Sequence, residues 1–206
     1  MTVLSIRIIG DPVLRTRAAE VTEFGPGTAR LVEDMVETMQ DVQGAGLAAP
    51  QVGVGLRIFT YNVDGVLGHV VNPVLEMGAE QQTDHDEGCL SVPGLGFPLD
   101  RAREAVVRGV DCFGVPLEIP ATGVLARCFQ HETDHLDGRL YIDRLDGDHR
   151  RAAMRAIRSA EYSSVAFRTA AERAQSTGSS FTSSAGPSSA GPGRRHQQVR
   201  TGGNFQ

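Results

Sequence analysis

The sequence predicts an α+β fold: short, mostly antiparallel sheets packed around a central helix, with a C-terminal helix and a disordered tail. Three observations point to it. Short β-rich runs follow one another with few helices between them, unlike the strand–helix alternation of a doubly wound parallel sheet. Two stretches carry helical punctuation or spacing, and the composition changes near residue 175.

Taken in order, Leu31, Val32, Met35, Val36 and Met39 fall at helical spacing and predict an amphipathic helix over about residues 27–43. Gly44 is expected to end it, as Gly commonly does. Gly44-Ala45-Gly46-Leu47-Ala48-Ala49-Pro50-Gln51 follows as a glycine-rich loop. Four β-rich runs come next: Leu56 to Asn62, His69 to Leu75, Ala105 to Phe113 and Val115 to Ile119, the last two forming a hairpin about Gly114. Pro120, Thr122 as N-cap and Gly138 as a stop bracket a second helix over about 122–137. A third, Arg-rich helix is expected over about 148–174. Residues 176–206 hold seven Ser, six Gly and two Pro, with Phe181, Val199 and Phe205 as the large apolar side chains. Such a stretch buries too little surface to offset chain ordering and is read as a disordered tail to a single domain of residues 1–175.

Charge and composition exclude several classes. The 206 residues are 40% apolar, with 25 acidic against 20 basic side chains, every basic one an arginine. The tail carries +3, which leaves −8 on residues 1–175. An acidic body argues against a nucleic-acid binder held by phosphate contacts. No apolar run approaches the ~20 residues that span a bilayer. The start lacks a signal peptide's charged head and long apolar centre. Three widely spaced cysteines do not make a disulfide framework. A monomeric cytoplasmic protein is expected. Tail arginines Arg194, Arg195 and Arg200 suit an anionic partner, but a solvated tail is the simpler reading.

The chemistry concentrates in His131-Glu132-Thr133-Asp134-His135 on the second helix. Histidines four apart share a face, so both imidazoles reach one metal ion. Glu132 lies about 100° around the helix, placed to hold a water without being a ligand. On an otherwise apolar helix a Glu between two His favours a metal site over locally bonded histidines. The central helix is thus expected to bind metal. A catalytic site wants a third protein ligand and an open position. Cys128 sits roughly 10 Å along the axis from His135, too far for a short thiolate to share the ion, and reads as core or pocket wall. Cys112 reads as a strand residue in the core. Cys89 lies in Glu87-Gly88-Cys89-Leu90-Ser91, a different setting. His69, His85, His149 and His196 have no ligand spacing to one another.

With the glycine-rich loop, the E-G-C-L-S segment and the H-E-x-x-H element in this order, the sequence resembles the bacterial peptide deformylases over about residues 5–160. Gly10-Asp11-Pro12-Val13-Leu14, Asn72-Pro73 and Leu136-Asp137-Gly138 are weaker echoes. The resemblance implies that Cys89, His131 and His135 bind one divalent metal ion, Fe²⁺ in the cell, with Zn²⁺, Ni²⁺ or Co²⁺ as alternatives. It implies water at the fourth position, Glu132 as general base, and the Gln51 amide and Leu90 N–H as oxyanion donors. The substrate would be the N-formylmethionyl end of a nascent peptide, pairing with backbone around Gly46 beside Ala45. Ala45 stands where the family often has a larger β-branched residue, and Gly94-Leu95-Gly96-Phe97-Pro98 is only loosely like the family.

Alternatives remain at single residues. Asp134 is either a partner for a ligand histidine or half of a surface ion pair. Glu87 pairs with Arg101 or Arg103, and Gln51 is lifted above an ordinary exposed amide by the motif alone. An H-E-x-x-H endopeptidase would draw its third ligand from Asp143, Asp146, His149 or Glu161, against which the upstream cysteine argues. A non-catalytic relative would lack Glu132 or Gln51, and both are present. From residue 149 to 175 six arginines face two acids, a charge compatible with ribosomal RNA near the exit tunnel.

Overall fold

The computed structural model describes residues 2–83 and 86–179, and its architecture is α+β. In chain order come α1 (Pro26–Asp41), β1 (Gly46–Ala48), β2 (Ile58–Val63) and β3 (Val66–Met77). Four further strands follow: β4 (Gln81–Gln82), β5 (Asp86–Cys89), β6 (Val92–Pro98) and β7 (Arg101–Ala102). Then come β8 (Glu104–Val110), β9 (Pro116–Thr122), α2 (Gly123–Leu136), α3 (Gly147–Ile157) and α4 (Ala160–Ser179). The main sheet is antiparallel in the order β1-β2-β3-β8-β9, and β4-β7 and β5-β6 form two small ribbons. Part of the expected glycine-rich loop is therefore strand β1, an edge of the main sheet.

β2 is buried on both faces, and its alternation sets the core. Ile58 packs with Met35 and Met39 of α1, while Phe59, Tyr61 and Val63 pack with Ala126, Phe129 and Leu136 of α2. Rings of Phe59 and Tyr61 lie 5.7 and 5.0 Å from that of Phe129. α2 is buried almost all round, as a central helix must be. A third apolar cluster joins Val92, Leu99, Leu140 and Tyr141 to Ala153, Tyr162 and Ala166 of α3 and α4.

Local chemistry explains where elements end. β2 and β3 join through Asp64-Gly65, both at positive φ, as a two-residue hairpin requires. At the end of α1, Gln43 rather than Gly44 takes the left-handed conformation (φ 53). The Gly44 N–H closes the motif on the Met39 carbonyl at 2.9 Å. Gly138 (φ 72) does stop α2, with the Arg139 N–H on the Asp134 carbonyl. Thr122 precedes α2 without a side-chain capping bond. Cys112 lies in the β8–β9 connection rather than in a strand, because Asp111 Oδ1 accepts the Phe113 and Val115 N–H groups and turns the chain early.

The expected third helix is two helices. Ser159 Oγ accepts the Tyr162 N–H at 3.0 Å and so caps α4, which breaks the run after Arg158. Of the tail expected from residue 176, residues 176–179 continue α4, and residues 180–206 lie outside the described residues, as do His85 and His196. Among the described residues no helix is long and apolar enough to cross a membrane.

Candidate metal centre and cleft

α2 presents His131 and His135 one turn apart, with their Nε2 atoms 3.2 Å from each other. The ribbon β5-β6 brings Cys89 up to them, its Sγ 3.3 Å from His135 Nε2. All three ligand-type atoms lie within 4.8 Å of one another. Glu87 Oε1 accepts from His131 Nδ1 at 2.7 Å, which fixes that ring's tautomer with the Nε2 lone pair turned into the cluster. Two imidazole nitrogens and a sulfur converging without a hydrogen between every pair repel unless a cation lies among them. The donor set therefore fits a divalent ion of the Fe²⁺, Co²⁺, Ni²⁺ or Zn²⁺ kind.

The two rings respond to this setting in opposite directions. Burial disfavours a proton on either ring. Hydrogen bonds to Cys89 and Glu87 override it at His131, whose pKa lies well above the usual range. At His135 burial and the neighbouring His131 act together and push it well below.

Behind His131 runs a buried charge network. Burial works against ionisation of Glu87, but hydrogen bonds from His131 and Arg101 outweigh it and hold the carboxyl at about 2. Arg101 grips Glu87 with two nitrogens, at 3.0 and 2.6 Å, and turns its third to Asp134 at 2.7 Å. Arg144 closes on Asp134 from the far side, and Arg127 adds a 3.4 Å contact to Glu87. Asp134 is thus neither a direct partner of a ligand histidine nor a surface group. Glu87 takes Arg101, whereas Arg103 is exposed beside Glu80. The Glu87–Arg101–Asp134–Arg144 chain was not legible as a unit, because its members come from β5, β7, α2 and the segment after α2.

A cleft of about 610 Å³ opens onto the cluster, lined by Ala45, Gly46, Gln51, Cys89, Leu90 and Glu132 among others. The Glu132 carboxyl is buried, and its Oε2 has no partner among the described residues. Burial pushes it up to about 7, against the lowering influence of His131. Gly46 makes room for it: a Cβ there would lie 2.8 Å from Glu132 Cδ and 2.9 Å from Cys128 Sγ. Cys128 is a cleft-wall thiol, its Sγ donating to the Ala45 carbonyl at 3.4 Å, and burial raises its pKa well above the usual range.

Gln51 is buried rather than an exposed amide. Its Oε1 accepts the Ala48 N–H at 2.8 Å, which orients Nε2 toward Ser91 Oγ (3.2 Å) and Cys89 Sγ (3.9 Å). Since the Ala48 N–H points away from β2, Gly46, two residues earlier, turns its backbone to the same open edge. The Ala45 carbonyl is already taken by the Asn62 N–H at 2.8 Å. Ser91, Thr169 and Arg173 were missed at the sequence level. Ser91 donates its N–H to Cys89 Sγ at 3.3 Å, and the other two reach the cleft from α4.

Fold and site together define a class: an α+β enzyme with a thiol and two imidazoles gathered at the head of an open cleft. Residues 3–151 match the family model for polypeptide deformylase. A peptide deformylase of Acidothermus cellulolyticus is 58% identical over 168 residues, 82% of this chain and 93% of that one. One from a Parafrankia species is 53% identical over 165 residues, covering 80% and 90%. The crystal structure of peptide deformylase from Thermus thermophilus superposes with a TM-score of 0.73 at 41% identity, over 83% of this chain and 99% of that one. The chain belongs to the polypeptide deformylase family.

Proposed function

We propose that the chain removes the N-formyl group from the N-terminal methionine of newly made proteins, releasing formate and a free amine. The observation that carries this reading is the convergence of Cys89, His131 and His135 beside a buried Glu132, whose Oε2 has no partner among the described residues, at the head of the cleft. Cys89, His131 and His135 would hold one divalent ion, Fe²⁺ in the cell with Zn²⁺, Ni²⁺ or Co²⁺ able to replace it. When bound, that ion supplies Lewis-acid activation of water and of the formyl oxygen.

The chain's own residues do the rest. Glu132 takes a proton from the water as its oxygen bonds to the formyl carbon, then returns it to the leaving nitrogen as the C–N bond breaks. Gln51 Nε2, fixed through its Oε1, and the Leu90 N–H donate to the oxyanion. Glu87 keeps His131 oriented. The substrate backbone adds to β1 at Gly46, next to Ala45. The H-E-x-x-H endopeptidase alternative is disfavoured, since among the described residues the group gathered with His131 and His135 holds Cys89 and none of Asp143, Asp146, His149 or Glu161. The partners of this reading are N-formylmethionyl nascent chains in the cytoplasm. The protein acts as a monomer, near the ribosomal exit through the arginines of α3.

The test is formate release from a formyl-methionyl tripeptide by anaerobically purified protein and by Glu132→Gln. Turnover is expected in the first and near-complete loss in the second with metal retained. No formate from the metal-loaded wild type would overturn the reading. Unchanged ribosome co-sedimentation after substitution of Arg150, Arg151 and Arg155 would remove the ribosome from it.

A further inference from the structure

We propose that Arg173, on α4, is a positioning residue for deformylation, holding the peptide unit that joins Leu90 to Ser91 beside the ligand Cys89. The inference rests on the deformylase reading and deepens it.

α4 docks through Tyr162 and Ala166, buried in one cluster with Val92 and Tyr141. Residues four apart on its next stripe are Val165, Thr169 and Arg173. Val165 sits against Gly94, with its Cγ1 3.5 Å from where a Cβ would stand, and Thr169 and Arg173 line the cleft. At the end of this stripe Arg173 Nη1 donates to the Leu90 carbonyl at 2.9 Å. The other end of that same planar peptide is the Ser91 N–H, which donates to Cys89 Sγ at 3.3 Å.

One rigid amide is thus gripped by a cation at its oxygen and rests on the ligand sulfur at its nitrogen. The guanidinium polarises the amide and strengthens the N–H···S bond. The Leu90 side chain meanwhile reaches across to Gly44, its Cδ1 3.1 Å from a Cβ built there. Any rotation of the 90–91 peptide changes Leu90 ψ and disturbs the residue whose own N–H serves the oxyanion. Arg173 acts on the reaction through Leu90 and Ser91, without needing to touch the formyl group.

The test uses the full chain loaded with Co²⁺ under anaerobic conditions, as wild type, Arg173→Ala and Arg173→Lys. Two readouts are taken: the sulfur-to-cobalt charge-transfer absorption, and kcat and KM for a formyl-methionyl tripeptide. Arg173→Ala is expected to shift the band and to lower kcat about tenfold, with KM nearly constant. Arg173→Lys keeps a donor for the Leu90 carbonyl and is expected to restore most of the band and of kcat. An unshifted band in Arg173→Ala, or a lysine variant no better than the alanine one, overturns the proposal. A wild type that releases no formate overturns the activity reading instead, and the band, which needs no turnover, still decides whether Arg173 holds this peptide.

Discussion

The Glu132 carboxylate lies directly against the Cα of Gly46, so that a single methyl at residue 46 would overlap Glu132 Oε1. Glycine in this strand reserves volume for a carboxylate, in addition to offering its backbone to the cleft. The clash is with the end of a side chain, so the fold can give way there cheaply. Gly46→Ala is therefore expected to fold and bind metal while displacing Glu132, lowering kcat by about a hundredfold, the scale of lost general-base catalysis. Metal content and steady-state kinetics check it.

Breaking the buried network should cost stability as well as activity. Arg101→Met removes the cation that Glu87 and Asp134 share and leaves part of their charge stranded out of water, with His131 and Arg127 still facing Glu87 and Arg144 still on Asp134. Removal of one partner of a buried ion pair costs about 3–5 kcal/mol. Urea denaturation measures this, and adding Glu87→Gln to Arg101→Met should recover part of the loss, because the stranded charge is then removed.

Metal should stabilise the fold through its three ligands. An ion that binds only the folded state contributes about 2.7 kcal/mol at a hundredfold excess over its Kd. Added Ni²⁺ is expected to raise the melting temperature of the wild type, a chelator to reverse it, and Cys89→Ser to respond far less. Equal responses from wild type and Cys89→Ser would place the ion elsewhere.

His69 should make the protein acid-sensitive. Its Nε2 accepts the Cys112 N–H at 3.0 Å, and burial lowers its pKa despite Asp111 nearby. The unfolded chain takes up this proton near the usual value of about 6.5, whereas the folded chain waits for lower pH. Its contribution is therefore complete above that value and is lost as pH falls toward the folded pKa. His69→Gln retains an acceptor without the titration. Urea midpoints at pH 7.5 and 5.5 should fall further for wild type than for the variant.

The parts of the site that depend on spacing along one element were legible. His131, Glu132 and His135 share a helix, so their geometry follows from its pitch, and the hairpin about Gly114 was readable from local turn chemistry. Cys89 needed the family resemblance, since nothing local says which helix β5 will approach. Glu87 with Arg101, and Arg173 with the Leu90 carbonyl 83 positions away, exist only through tertiary packing. The helix break at Ser159 hid in a serine whose capping role competes with helix continuation over a single turn. Gln43 took the left-handed position ahead of Gly44, which shows that a glycine nearby does not fix where a helix ends.

The shortness of β1 has a further consequence. Three residues of open edge are too few to template a second sheet or to recruit another copy of the chain, so this edge escapes the aggregation hazard of longer ones. If a substrate backbone adds to β1 as proposed, main-chain pairing at Gly46 would read amide groups that every polypeptide carries. An edge of this length would then take in the first residues of a chain while ignoring the identity of almost everything that follows, the indifference that the proposed reaction on newly made proteins requires.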